Sequence, residues 1–126
     1  MLSTFFVFIG AGIGGSLRHG VNLACGRWCG TDFPIGTLII NVIGCFSMGL
    51  IAGWFAFRSG GGQQGLRLFL TTGILGGFTT FSAFSLDTAL LWERGQAGSA
   101  IFYVLASVLV SIAACFAGLA LIRSAS

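Results

Sequence analysis

Uncharged runs organise this chain. Charged residues are absent from 1–17, 33–57, 68–86 and 95–122. The first run continues past Arg18 to about residue 25, and the third past Asp87 to Trp92. Each approaches or exceeds the roughly 20 apolar residues that carry a helix across a bilayer. Hydropathy of this strength, without apolar/polar alternation, predicts helices rather than barrel strands. The expectation is an all-α membrane protein of four transmembrane helices, at about 3–25, 33–57, 67–92 and 98–122, forming one domain over residues 1–126. Connectors near 26–33, 58–65 and 93–98 are short and leave no room for a soluble domain. The first run has no basic residue ahead of its apolar stretch and precedes another long span, so it reads as a span and not as a secretion signal.

Composition narrows the function classes. Of 126 residues, 56% are hydrophobic and 7% charged, and the mean hydropathy is +0.99. So few charges cannot cover the surface of a small soluble domain, which excludes a soluble enzyme. The net charge of +3 comes from six Arg against Asp32, Asp87 and Glu93, too few cations to track a phosphate backbone. With four spans, Arg58, Arg67 and Arg123 fall on one side, and Arg18, Arg27 and Arg94 on or near the other. Orientation normally follows the arginine excess, and here there is none. Insertion in both orientations, giving an antiparallel dimer, is one consequence. A fixed topology set by other factors is the other.

The third run departs from a regular helix. It reads Thr71-Thr72-Gly73-Ile74-Leu75-Gly76-Gly77-Phe78-Thr79-Thr80-Phe81-Ser82-Ala83-Phe84-Ser85. Glycine and threonine are weaker helix formers than leucine or alanine. A break here frees backbone carbonyls inside the membrane, where they are tolerated only in protein or around a polar cavity. Freed carbonyls suit hard cations such as Na⁺. An unbroken helix with a small-residue packing face fits the same residues.

Several motifs are set aside. Gly10-Ala11-Gly12-Ile13-Gly14-Gly15 matches a dinucleotide-binding spacing, but the chain has no room for the parallel sheet that motif requires. Cys25 and Cys29 lack a second ligand pair, and His19 stands alone, so no zinc site or catalytic constellation is assembled. Asn41 sits in an otherwise apolar run and needs a partner, which marks an interface or a pathway. Tyr103, Ser107, Ser111 and Cys115 recur every fourth residue and form one weakly polar stripe. Phe81 and Phe84 share a face if their segment is helical. No acidic residue lies at the centre of a span, which argues against proton-coupled multidrug export. Neutral donors and positively polarised ring edges suit a small anion.

At these residues the chain resembles the Fluc/CrcB family of fluoride-specific channels. The likeness runs through all four spans. It is most specific across residues 71–85, with further matches at Gly14-Gly15-Ser16-Leu17-Arg18, at Pro34-Ile35-Gly36-Thr37-Leu38 leading to Asn41, and along the Tyr103/Ser107/Ser111 stripe. The resemblance implies an antiparallel, dual-topology homodimer in the cell inner membrane, carrying fluoride passively through two pores. It implies a structural Na⁺ on the backbone carbonyls of Gly76 and Thr79 from both copies. Phe81 and Phe84 would be the pore aromatics. Asn41, Thr80, Ser82, Tyr103, Ser107 and Ser111 would line the ion path, and Arg18 would favour the anion near a mouth. Ala83, Asp87 and Cys115 depart from the family's more usual residues. The rival readings are a small-multidrug-type proton-coupled exporter and a non-transporting assembly subunit.

Overall fold

Apolar runs become helices because a helix satisfies its own backbone polar groups along the segment. The computed structural model describes residues 2–30, 33–57 and 63–125, and all regular structure among them is helical. The elements are α1 (Leu2–Cys29), α2 (Ile35–Phe57), α3 (Gln64–Leu68), a π-helical stretch Phe69–Leu75, α4 (Gly76–Phe78), α5 (Phe81–Glu93) and α6 (Ala97–Ala125). Asp32, Arg58 and most of the 58–65 connector lie outside the described residues.

Local chemistry sets the helix ends. Pro34 precedes α2, and its carbonyl accepts from Leu38 N at 3.3 Å, a position where the missing proline N–H costs nothing. Gly95, at φ 79°, closes α5. Its N–H bonds the Trp92 carbonyl, and Gln96 N–H bonds the Leu91 carbonyl, both at 3.0 Å. That paired capping needs a left-handed residue, which glycine adopts without strain, and it turns the chain into α6 within a few residues.

Small residues bring the helices close. A Cβ on Gly14 would collide with the Ile74 carbonyl, so α1 lies directly on the π-helical stretch. A Cβ on Gly49 would strike the Cys115 carbonyl, and one on Gly118 the Phe46 carbonyl. Farther along, Gly53 approaches Ile122. Residue numbers rise together along both helices, so α2 and α6 run parallel in tight backbone contact.

Among the described residues, three helical segments are long and apolar enough to cross a membrane: Ile35–Phe57, Gln64–Glu93 and Ala97–Ala125. The 28-residue α1 is not among them. Its second half carries Arg18, His19, Asn22 and Arg27, which lower its hydropathy. Few side chains are buried within the single chain, and large apolar ones lie open, including Phe8 at 72% and Phe81 at 77% exposure. Such surface is ordinary against lipid or a second protein and unfavourable against water.

Candidate functional site

The Gln64–Glu93 segment is broken. Helical geometry persists through the π-helical stretch and α4, then Thr79 (ψ 158°) and Thr80 (φ −153°, ψ 124°) are extended, and α5 begins at Phe81. The glycine and threonine content of residues 71–85 lowers the helix propensity of this stretch. The π-helical widening just before it had no counterpart in the sequence reading.

Hydrogen bonds hold the break in place. Thr80 N–H donates to Asn41 Oδ1 at 3.0 Å, and Asn41 Nδ2 donates to the Thr80 carbonyl at 3.1 Å. Ala83 N–H donates to Thr80 Oγ1 at 3.1 Å, capping α5. In a continuous helix, Thr80 N–H would close on the Gly76 carbonyl and Ala83 N–H on the Thr79 carbonyl. Both amides are diverted, so Gly76 and Thr79 lose those partners. The lone amide of α2 thus clasps the interrupted backbone, which answers where Asn41 finds its partner. Only the tertiary arrangement, 39 residues apart in sequence, brings the two together.

Beside the break lies a cavity of about 290 Å³, lined by Asn41, Cys45, Thr79, Thr80, Phe81, Phe84, Ser107, Val108, Ser111 and Ile112. The rings of Phe81 and Phe84 are 5.5 Å apart and share a face of α5. On the opposite wall, Ser107 and Ser111 of α6 are 5% and 8% exposed, and neither Oγ has a hydrogen-bond partner. A buried hydroxyl without a partner carries a desolvation cost that a ligand can relieve.

Tyr103, one turn from Ser107, is fully buried. Its OH donates to Asp87 Oδ2 at 3.2 Å, its ring stacks obliquely on Phe84 at 5.2 Å, and Phe33 meets it edge-on at 5.5 Å. Beyond it a second cavity of about 350 Å³ is lined by residues that include Asn22, Thr37, Asp87 and Arg94. Tyr103 therefore stands between two cavities, contacting Phe84 of the first and Asp87 of the second.

Not every expected site residue joins this arrangement. Ser82 is exposed, and its hydroxyl lies 3.3 Å from Thr80 Oγ1, outside the cavity wall. Arg18 lines neither cavity, although its Nε is buried without a partner. Gly76 is exposed and lines neither cavity. Thr37, buried at 6%, and Asp87 were not put forward as site residues. Thr37 had a signal, since it stands one turn before Asn41. Asp87 had a stronger one, as a carboxylate inside an apolar run.

Known proteins resemble this chain in sequence. The family model described as "CrcB-like protein, Camphor Resistance (CrcB)" matches residues 5–119. The chain is 62% identical over 123 residues to a protein of Methylobacterium nodulans named fluoride-specific ion channel FluC, covering 98% of each chain. It is 59% identical over 123 residues to a protein of that name from Rhodopseudomonas palustris, again covering 98% of each. It is 56% identical over 122 residues to fluoride-specific ion channel FluC 2 of Nitrobacter hamburgensis, covering 97% of this chain and 98% of that one.

Proposed function

The chain belongs to the CrcB family, and on that premise we propose that it is a fluoride-specific ion channel that lets the ion leave the cytoplasm passively. One observation carries the reading. Ser107 and Ser111 present buried, unpartnered hydroxyls to a cavity whose facing wall holds the Phe81/Phe84 pair. A small anion must exchange its water shell for close donors. The hydroxyls supply O–H groups, and the phenyl edges supply the positive end of the ring quadrupole. Neither brings a full charge, so the ion is solvated without being trapped. The Tyr103 hydroxyl, between the two cavities, continues the α6 stripe toward Arg94.

The same features support an assembly of two copies. The first segment, α1, completes four spans, its exposed apolar residues facing lipid or protein. Balanced arginines permit both orientations, and two antiparallel copies would cover the open face around Gly76 and Phe81. The Gly76 and Thr79 carbonyls, relieved of their helical partners, form a hard-oxygen donor set of the kind that holds Na⁺. Such an ion would fix the two copies together and is not itself transported. The membrane is the cell inner membrane.

A proton-coupled exporter would have to run through Asp87, the one part-buried carboxylate among the described residues. Purified protein in fluoride-loaded liposomes separates the readings. A channel gives fast efflux when a K⁺ ionophore balances charge, with no proton gradient. Efflux that requires the gradient would establish the exporter, and no efflux would leave an assembly subunit.

A further inference from the structure

One cysteine, Cys45, lines the cavity and a second, Cys115, lies one turn beyond the lining Ser111, and the ion path described above has no use for their sulfurs. Cys45 on α2 lines the cavity wall, and its thiol lies beside Ser111 and within electrostatic range of Cys115. Cys115 follows Ser111 by one turn on the same face of α6. The tight approach of Gly49 to the Cys115 carbonyl fixes the two helices at that level. Gly49 in turn follows Cys45 by one turn. In parallel helices side chains lean toward the N-terminus. Both thiols lean alike, and because Gly118 meets the Phe46 carbonyl and the Leu50 amide while Gly49 meets the Cys115 carbonyl and the Leu119 amide, the level of Cys45 falls on the α6 turn between Ser111 and Cys115. Both cysteines are free and partly accessible.

We propose that Cys45 and Cys115 form a two-thiol site for a soft, two-coordinate d¹⁰ cation, opening onto the cavity beside the Ser111 hydroxyl. Thiolates select soft ions over hard ones, and metal binding displaces the thiol protons. With Hg²⁺ the balance is two thiols plus one Hg²⁺ giving one S–Hg–S bridge and two protons, with no change of oxidation state. The bridged complex is neutral, so it escapes the charge penalty of an apolar site. The site differs from the hard-oxygen carbonyls at the break in ligand type and in the ions it takes. Bulk at Cys45 narrows the cavity, so occupancy blocks the anion. That last consequence rests on the channel reading; the binding does not.

The test uses full-length protein with Cys25→Ser and Cys29→Ser, so that only the proposed pair remains. In chloride-free buffer Hg²⁺ should bind one per chain, with a sulfur-to-mercury charge-transfer band, release of two protons and loss of both thiols to alkylation. Adding Cys115→Ser or Cys45→Ser should weaken binding by about 100-fold or more, because the second thiol acts at high effective concentration. Fluoride efflux should fall at one equivalent of Hg²⁺ and return with dithiothreitol. Two Hg²⁺ per chain, or single-cysteine variants binding as tightly as the pair, would overturn the bridged site. Bridged binding with undiminished efflux would overturn its opening onto the path. Absence of any efflux from metal-free protein would instead count against the channel reading, leaving the binding result to stand by itself.

Discussion

The broken segment and α6 are both long and apolar enough to cross a membrane, and they treat their polar groups in opposite ways. In α6 the helix is continuous from Ala97 to Ala125, so the backbone is satisfied internally. Its side-chain hydroxyls at Ser107 and Ser111 are left open. At Thr79–Thr80 the helix stops, yet Thr80 N–H, Thr80 C=O and Ala83 N–H all find side-chain partners. The lesson is one of division. The break is a structural feature held by Asn41 and Thr80, while the unbroken helix carries the buried hydroxyls that a ligand can use. Side chains at the break should therefore govern folding first, and side chains on α6 should govern flux with little effect on folding.

The largest effect should come from Asn41→Leu. It orphans both backbone groups of Thr80, at about 1–3 kcal/mol each and so roughly 2–6 kcal/mol in all. Thermal unfolding in detergent should shift sharply, and assembly should be lost with it; an unshifted transition would remove Asn41 from its role at the break. Asn41→Asp keeps an acceptor for Thr80 N–H but loses the donor and adds negative charge beside the cavity. Its fluoride efflux should be suppressed more strongly than its folding.

Next in size is Gly49→Ala. Its new methyl lands on the Cys115 carbonyl and must push α2 from α6, at about 1–3 kcal/mol for overpacking. A melting temperature equal to that of the parent would show that the helices have room to spare.

Ser107→Ala and Ser111→Ala sharpen the α6 side of the comparison, and Phe81→Ile and Phe84→Ile test the facing cavity wall on α5. Each serine variant removes a hydroxyl with no protein partner, so stability should hold within about 0.5 kcal/mol. If each hydroxyl gives the passing anion one charge-assisted hydrogen bond of about 1.5–3 kcal/mol, efflux should fall by about 10- to 150-fold. The phenylalanine variants should also cut efflux while the assembly persists in gel filtration. Serine variants that lose stability and keep full efflux would reverse the assignment.

The smallest expected effect is a cation exchange. Replacing Na⁺ throughout purification and assay with a larger organic cation should lower thermal stability or efflux, because the Gly76 and Thr79 carbonyls suit a small hard ion. Indifference to the cation would remove that site.

The sequence alone determined the environment and the coarse plan. Charge-free runs of bilayer length can be placed only as helices, and glycine, threonine and serine over residues 71–85 marked where one would fail. Those are local properties, set by side-chain solvation and backbone propensity within a few turns. The stripe from Tyr103 to Ser111 was legible for the same reason, since its period is that of a single helix. The tertiary structure decided what the polar groups do. Whether Asn41 would face lipid, an ion or another backbone depended on a contact 39 residues away, and no local pattern encodes that distance. Likewise, that the Ser107 and Ser111 Oγ atoms end buried against a cavity depended on how α2 and α5 pack on α6, which the period of the stripe does not encode. Ser82, equally polar in sequence, was left outside the cavity by the direction in which α5 leaves the break.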